Sequence, residues 1–219
     1  AAKLGIDPVE IRLLNHLKEK SLPLKSASGL EFENVSLDEC LNTLISKMNY
    51  VGLREEQKEK RKRGIYRGIG LATFVEQTAV GPGLYGPAGI RVSAQEGCSL
   101  RLDPSGLVHC ATSTTDQGQG TLLGIQQIIA DTLGVALDSI TVESGDGRAT
   151  PYGGGSWASR GLAIGGEAAR LASLDLRERI LEAAAQIIQE KLENLFLIDG
   201  KIFRGSTHIM DLSELSKTL

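Results

Sequence analysis

The chain has 219 residues, a hydrophobic content of 41% and a formal net charge of −3. This length is enough for one sizeable core, or for one domain with an appendage. The acidic balance argues against a nucleic-acid-binding protein, which would normally present a basic face. No apolar run reaches the roughly 18 residues of a membrane span, and no signal-peptide pattern opens the chain. We therefore expect a cytoplasmic protein without nucleic-acid or membrane partners.

Helical signals dominate the N-terminal part of the chain. Residues 1–20 are predicted to form a helix, with Asp7 as its N-cap and Pro8 in the first turn. Residues 21–35 lose the pattern and are expected to form a linker. A second helix is predicted to begin after Ser36, which precedes apolar residues at helical spacing.

A run of mixed charges at residues 54–63 is interpreted as a solvated helix that ends at Gly64. Beyond Gly64 the period changes to that of strands. We therefore assign residues 1–63 to a helical linker or the tail of a preceding domain, and residues 64–219 to an incomplete second domain. The absence of an initiating Met leads us to expect a piece of a longer protein or a processed chain.

The second part alternates between strand and helix patterns. Strands are predicted at residues 65–76, 89–95, 99–102, 107–112 and 139–143, a hairpin at 195–203, and helices at 120–133, 158–193 and from 212 onwards. The three cysteines are widely spaced and form no CxxC pair, which excludes a zinc or iron–sulfur site built from such a pair, so we expect buried free thiols.

Two glycine-containing loops each precede a predicted helix. The first has the sequence DQGQG at residues 116–120, and the second has YGGGSWASR at residues 152–160. A helix start exposes unpaired N–H groups and the positive end of the helix dipole, and glycine lets a ligand approach them. Arg160 could add a positive charge. Neither loop has the Walker or GxGxxG pattern, so spacing alone supports an anion or cofactor site only weakly, and tight turns with ordinary N-caps stay an open alternative.

These loops also resemble motifs of one enzyme family. The DQGQG loop, the ADTLGV sequence at residues 130–135 and the second loop resemble, in this order, motifs of the molybdenum hydroxylase large subunit. LGIDP at residues 4–8, EIRLLN at 10–15 and RGIGLA at 67–72 resemble upstream motifs of the same subunit. The chain is thus similar to the molybdopterin-binding subunit of xanthine dehydrogenase, aldehyde oxidase and carbon monoxide dehydrogenase.

The resemblance implies a fold, a cofactor and partners. The fold would be α+β, a mixed β-sheet with long helices packed on one side, preceded by a helical linker. The cofactor would be molybdenum–molybdopterin in the cytosine dinucleotide form, with Gln119 at its pterin end and residues 158–160 at its phosphates. The full set of implied cofactor-binding residues is Gln117, Gly118, Gln119, Gly120, Gly155, Ser156, Ala158, Ser159, Arg160 and Gly161.

The same resemblance implies a multi-component oxidoreductase that hydroxylates a carbon centre of a small-molecule substrate. Its electrons would pass to 2Fe-2S clusters and FAD on partner subunits or domains. The remaining domains of the large subunit would be further partners, since the family's catalytic glutamate lies downstream of this chain. We therefore expect no catalytic residue and no metal ligand here, and no activity from the isolated chain.

The sequence departs from the family at several positions. The family often has His where Thr121 follows the GQG motif, and Thr where Gly147 stands. After Arg160 the family often has hydroxyl residues, whereas this chain has Gly161 and Leu162. Two alternatives therefore stay open: a non-catalytic interaction module that kept the fold, and a nucleotide-binding module unrelated to molybdenum.

Overall fold

The computed structural model describes residues 1–27, 29–79, 81–85 and 92–218, with the backbone alone for residues 84 and 85. The chain forms two compact units, Ala1–Glu76 and Gln77–Leu219. Within the described residues, no helix is both long and apolar enough to cross a membrane.

The first unit is mainly helical. Its elements are α1 (Pro8–Asn15), the two-residue strands β1 (Leu24–Lys25) and β2 (Glu31–Phe32), α2 (Leu37–Lys47) and α3 (Tyr50–Lys62). Asp7 caps α1 as predicted, because its side chain accepts a hydrogen bond of 2.8 Å from the N–H of Val9. The helix ends at Asn15 rather than near residue 20, since His16 adopts extended backbone angles.

A small apolar core holds the first unit together. The buried residues Val9, Leu41 and Tyr50 form its centre, and Ile69 and Leu71 pack against them. The Arg12 guanidinium also donates to the carbonyl of Leu71 at 2.6 Å. These contacts join the segment after Gly64 to the helices, so the first compact unit extends to Glu76, beyond the domain boundary that we predicted after residue 63.

The predicted strand at residues 65–76 is wrong. The segment is not helical, but no strand pairs with it among the described residues. Two of its alternating apolar residues, Ile69 and Leu71, pack on the helices instead of on a neighbouring strand. Tyr66 and Phe74 remain exposed. Alternation indicates which side chains are buried, but a strand also requires a neighbour for its backbone groups.

In the residues that the structure describes, the second unit contains two three-stranded sheets together with helices. Its elements are α4 (Pro82–Tyr85), β3 (Cys98–Leu102), β4 (Val108–Thr112), α5 (Thr121–Leu133), β5 (Ile140–Ser144), a π-helical turn (Gly161–Gly165), α6 (Gly166–Ile188), β6 (Leu195–Ile198), β7 (Lys201–Arg204), β8 (Thr207–Asp211) and α7 (Leu212–Thr218).

The first of these sheets is mixed, in the order β3-β4-β5. Strands β3 and β4 form the predicted antiparallel hairpin, and β5 lies parallel to β4, with Cys110 opposite both Leu100 and Val142. The crossover from β4 to β5 runs through α5, whose residues Ile125 and Ile129 are fully buried. The expected α+β architecture with a mixed sheet is therefore confirmed.

The second sheet is antiparallel, in the order β6-β7-β8. The turn between β6 and β7 has positive φ angles at Asp199 and Gly200, as expected for a two-residue hairpin. Strand β8 was not predicted. Both sheets share one core with α5, α6 and α7, in which Val108, Leu197 and Leu215 are among the buried residues.

Two further expectations need correction. The long helix begins only after the π-helical turn and ends at Ile188, because Gln189 adopts a left-handed conformation with φ of 55°. The strand predicted at residues 89–95 lies partly outside the described residues, and residues 92–95 form no strand. The thiols are free as expected, but they are not all buried: Cys110 is buried, whereas Cys40 is exposed.

Candidate functional site

The two glycine-containing loops meet at their bases. The hydroxyl of Ser156, in the second loop, donates to the carbonyl of Thr115 at 2.8 Å and lies 3.1 Å from the Thr115 hydroxyl. The helix starts that follow are also adjacent, because a β-carbon on Gly161 would contact the Thr121 side chain at 3.5 Å. The fold thus places both loops side by side, beyond the end of β4.

The first loop is closed by its own carboxylate. Asp116 accepts hydrogen bonds from the N–H groups of Gly118 at 2.6 Å and Leu122 at 3.2 Å, and a longer one from Gly120. These N–H groups, that of Gly118 foremost, hold the pKa of Asp116 below its usual value. The start of α5 therefore already binds an anion, its own Asp116, contrary to our expectation of an open phosphate site there.

Gln119 lies at the exposed tip of this loop. Its side-chain carbonyl accepts a hydrogen bond of 2.7 Å from the backbone N–H of Gln117. This bond fixes the orientation of the amide and leaves the NH2 end as the donor for a ligand. Gln119 can therefore still serve a polar heterocycle, but as a donor.

The helix start after the second loop is open, since no described side chain accepts from its N–H groups, whereas Asp116 closes the helix start after the first loop. Ala158 and Ser159 have φ angles of 47° and 50°, and Arg160 returns to right-handed helical angles. Such a reversal turns successive N–H groups towards one side and forms an anion-binding concavity. No side chain caps the π-helical turn that follows within the described part of the chain, and the Ser159 side chain is exposed. This loop offers neutral hydrogen-bond donors.

The side chain of Arg160 does not contribute to that surface. It is 0% exposed and forms a salt bridge with the buried carboxylate of Glu96, while also donating to the carbonyls of Ala94 and Gly155. The charge that the sequence analysis assigned to a ligand is thus neutralised inside the protein. Glu96 was missed because nothing in the local pattern distinguishes this carboxylate from an exposed one.

His109 and His208, which lie outside the two loops, each bind a nearby aspartate. His109 is held between Asp103 at 2.7 Å and Thr141 at 2.8 Å on the surface of the mixed sheet, which fits the structural role expected for it. No group of three or more His, Cys, Asp or Glu side chains within the described ranges could hold a metal ion. The chemistry that this region can perform is therefore recognition of an anion and a polar ring.

The donors of the second loop suit the phosphates of a nucleotide-type cofactor. Two successive N–H groups at Ala158 and Ser159, an uncapped helix start and one exposed hydroxyl are the usual elements of a pyrophosphate site. Gln119, on the neighbouring loop, adds an amide donor for the heterocyclic part. The residues present therefore fit an anionic cofactor that spans both loops.

Comparison with known proteins gives consistent matches. A profile of the molybdopterin cofactor-binding domain family matches residues 43–219. The nicotine 6-hydroxylase large subunit of Paenarthrobacter nicotinovorans is 30% identical over 200 residues, which cover 91% of this chain and 24% of that protein. The carbon monoxide dehydrogenase large chain of Hydrogenophaga pseudoflava is 31% identical over 192 residues, covering 86% and 24%.

Among solved structures, quinoline 2-oxidoreductase from Pseudomonas putida 86 superposes with a TM-score of 0.71 at 29% identity. The match covers 99% of this chain and 28% of that one. The chain thus spans about a quarter of the length of the relatives that it matches.

Proposed function

Since the chain belongs to the molybdopterin cofactor-binding domain family, we propose that it forms one wall of the cofactor site in the large subunit of a molybdenum-dependent oxidoreductase. This subunit would be of the xanthine dehydrogenase and carbon monoxide dehydrogenase type. The observation that supports the proposal is the open donor surface of the second loop, whose base is bonded to the loop that carries Gln119. The bound molybdenum cofactor would supply the redox chemistry that hydroxylates a carbon centre.

The residues of this chain would bind and orient that cofactor. The N–H groups of Ala158 and Ser159 and the Ser159 hydroxyl would hold phosphate oxygens, and the Gln119 amide would donate to the pterin end. The first loop would act mainly as a rigid support for Gln119, because Asp116 occupies its N–H groups. Gly118 and Gly120, beside which a β-carbon would meet nothing within 4 Å, would allow the close approach of the ligand, whereas Gly155 and Gly161 face Trp157 and Thr121.

We extend the proposal to the whole protein on the strength of its relatives. The cofactor would be the cytosine dinucleotide form, and electrons would leave through 2Fe-2S clusters and FAD on partner subunits or domains. Because the chain spans about a quarter of its relatives, it would contribute only part of the cofactor site and would be inactive when isolated. Elemental and flavin analysis of the full complex, followed by a substrate screen, tests these points.

The cofactor-wall proposal can be tested on the chain itself by NMR titration with cytidine diphosphate. We expect weak binding, with the largest amide shift changes at residues 158–163 and smaller changes at 117–120. Inorganic pyrophosphate should perturb the second loop and leave Gln119 unaffected. The absence of any shift change with both ligands would contradict the proposal and favour a non-catalytic interaction module.

A further inference from the structure

We propose that Glu96 is a positioning residue of the cofactor site, and that its carboxylate, through Arg160, sets the conformation of the second loop. This inference assigns a role to a residue outside both glycine-containing loops. It rests on the proposed function, because the loop that Glu96 would position is the one proposed to hold the cofactor phosphates.

Glu96 joins three separate parts of the second unit. One of its oxygens accepts from Arg160 and, at 3.2 Å, from the N–H of Gly154. The other accepts from the hydroxyl of Ser113, directly after β4, at 2.5 Å. The Glu96 side chain is only 1% exposed. A single buried carboxylate therefore connects the end of β4 with both the beginning and the end of the second loop.

Arg160 extends this connection across the loop. Its guanidinium donates to the carbonyls of Gly155 at 2.8 Å and of Ala94, and it lies 5.1 Å from the centre of the Trp157 ring. The Trp157 ring N–H in turn donates to the carbonyl of Gly154 at 2.9 Å. Because a guanidinium is planar and its donors have fixed directions, these bonds orient the loop backbone as well as hold it.

Two glycines of the second loop, Gly153 and Gly154, show that the loop backbone packs closely around Glu96. A β-carbon on Gly153 would overlap the carboxylate of Glu96 and the side chain of Ser113, and one on Gly154 would overlap the backbone carbonyl of Ser93. The loop can reach the carboxylate only because these two residues lack side chains. This second observation is independent of the ion pair.

The conformation held in this way is an unfavourable one. Ala158 and Ser159 are non-glycine residues with positive φ, and such residues persist only where surrounding contacts determine them. Arg160 follows them directly and is anchored inside the protein by Glu96. The buried pair is therefore well placed to hold the N–H groups of Ala158 and Ser159 on the ligand side. A buried ion pair is a poor source of net stability, which also favours a geometric role.

The test compares the single variant Glu96→Gln with the double variant Glu96→Gln/Arg160→Gln. The single variant leaves a buried guanidinium without its carboxylate, and we expect it to unfold at a lower temperature. The double variant removes both charges and should recover most of this loss. The exposed Glu143→Gln, which alters a carboxylate on β5, serves as the matched control.

Two measurements on the double variant decide the question. The 13Cα and 13Cβ shifts of Ala158 and Ser159 report positive φ without any ligand, and we expect this signature in the wild type and in Glu143→Gln but not in the double variant. We also expect the Kd for cytidine diphosphate to rise about tenfold or more, because the donors are no longer preorganised.

A double variant that keeps both the positive-φ shifts and wild-type binding would overturn the role of Glu96. The outcome is separable from that of the proposed function. If the wild type does not bind cytidine diphosphate, the cofactor-wall proposal fails, while the ligand-free shifts still report whether Glu96 sets the loop.

Discussion

The hydroxyl of Thr114 occupies the space beside Gly165 that a β-carbon would need. Thr114 is 1% exposed, and its hydroxyl has no hydrogen-bond partner among the described residues. Gly165 is the last residue of the π-helical turn, which follows the second loop. The contact therefore sets how closely that turn packs against the end of β4.

We predict that Gly165→Ala destabilises the protein. Overpacking costs roughly 1–3 kcal/mol, whereas the helix propensity gained from alanine returns only about 1 kcal/mol. Unfolding in urea should show a net loss of up to about 2 kcal/mol. Gly147→Ala is the control, because a β-carbon there would meet nothing within 4 Å.

A double-mutant cycle identifies the contact responsible. Combined with Thr114→Ala, the Gly165→Ala change should cost much less than it does alone, because the overlapping hydroxyl is gone. Equal costs of Gly165→Ala in the two backgrounds would show that Thr114 is not the obstacle.

Because the Asp116 carboxylate closes the first loop, we predict that the stability of the protein depends on pH. The N–H groups of Gly118 and then Leu122 lower the pKa of Asp116 in the folded state. A lowered folded pKa contributes stability above the unfolded value of about 3.9, and this contribution is lost as the pH falls through the folded pKa. Asp116→Asn should therefore lower the unfolding midpoint at pH 6, and the difference from wild type should shrink below about pH 4.

Urea unfolding between pH 3 and pH 7 measures this difference. Asp131→Asn, which neutralises an exposed carboxylate in the last turn of α5, should not lower the midpoint at pH 6, because the helix dipole disfavours a negative charge there. A constant offset between Asp116→Asn and wild type over the whole range would mean that the charge of Asp116 does not stabilise the loop.

The three thiols should react in a fixed order. Cys40 is exposed, Cys98 is partly buried, and Cys110 is 2% exposed. The hydrogen bond with Cys98 and burial both raise the pKa of Cys110, which keeps its thiolate scarce. With Ellman's reagent we expect Cys40 to react first and Cys110 only on unfolding.

The variant Cys40→Ser should abolish the fast phase of this reaction and leave the slower ones intact. Fast labelling that persists in this variant would show that β3 or β4 opens more readily than the packed core implies.

We predict that Asp7 contributes more to the stability of α1 than Tyr50, whose hydroxyl group it binds. Its carboxylate caps α1 and also accepts hydrogen bonds from the Tyr50 hydroxyl at 3.1 and 3.2 Å. Tyr50→Phe removes one interaction, at about 0.5–1.5 kcal/mol, whereas Asp7→Ala also removes a cap of about 1 kcal/mol. Hydrogen exchange of the α1 amides should therefore accelerate more in Asp7→Ala.

Glu10→Gln, an exposed change in the same helical turn, is the control and should alter exchange little. Similar acceleration in Asp7→Ala and Tyr50→Phe would indicate that the cap contributes nothing beyond the tyrosine contact.

Features that depend on neighbours in sequence were predictable from the sequence alone. The capping of α1 by Asp7, the end of α5 at Gly134 and the hairpin turn at Asp199 and Gly200 each follow from residues a few positions apart. The ordered motifs also identified the family and the α+β class. Such signals are visible in the chain because their physical causes are local.

The tertiary structure decided what the two loops can do. The sequence presents Arg160 at a helix start as a charge for a ligand, but the carboxylate of Glu96, 64 positions before it, removes the guanidinium from the ligand surface. The same holds for residues 65–76, whose alternation pattern is satisfied by packing on helices instead of by strand pairing. A charged or alternating residue has the same local appearance whether it faces water, a ligand or a distant partner. Which of these it meets depends on how the folded chain brings remote segments together.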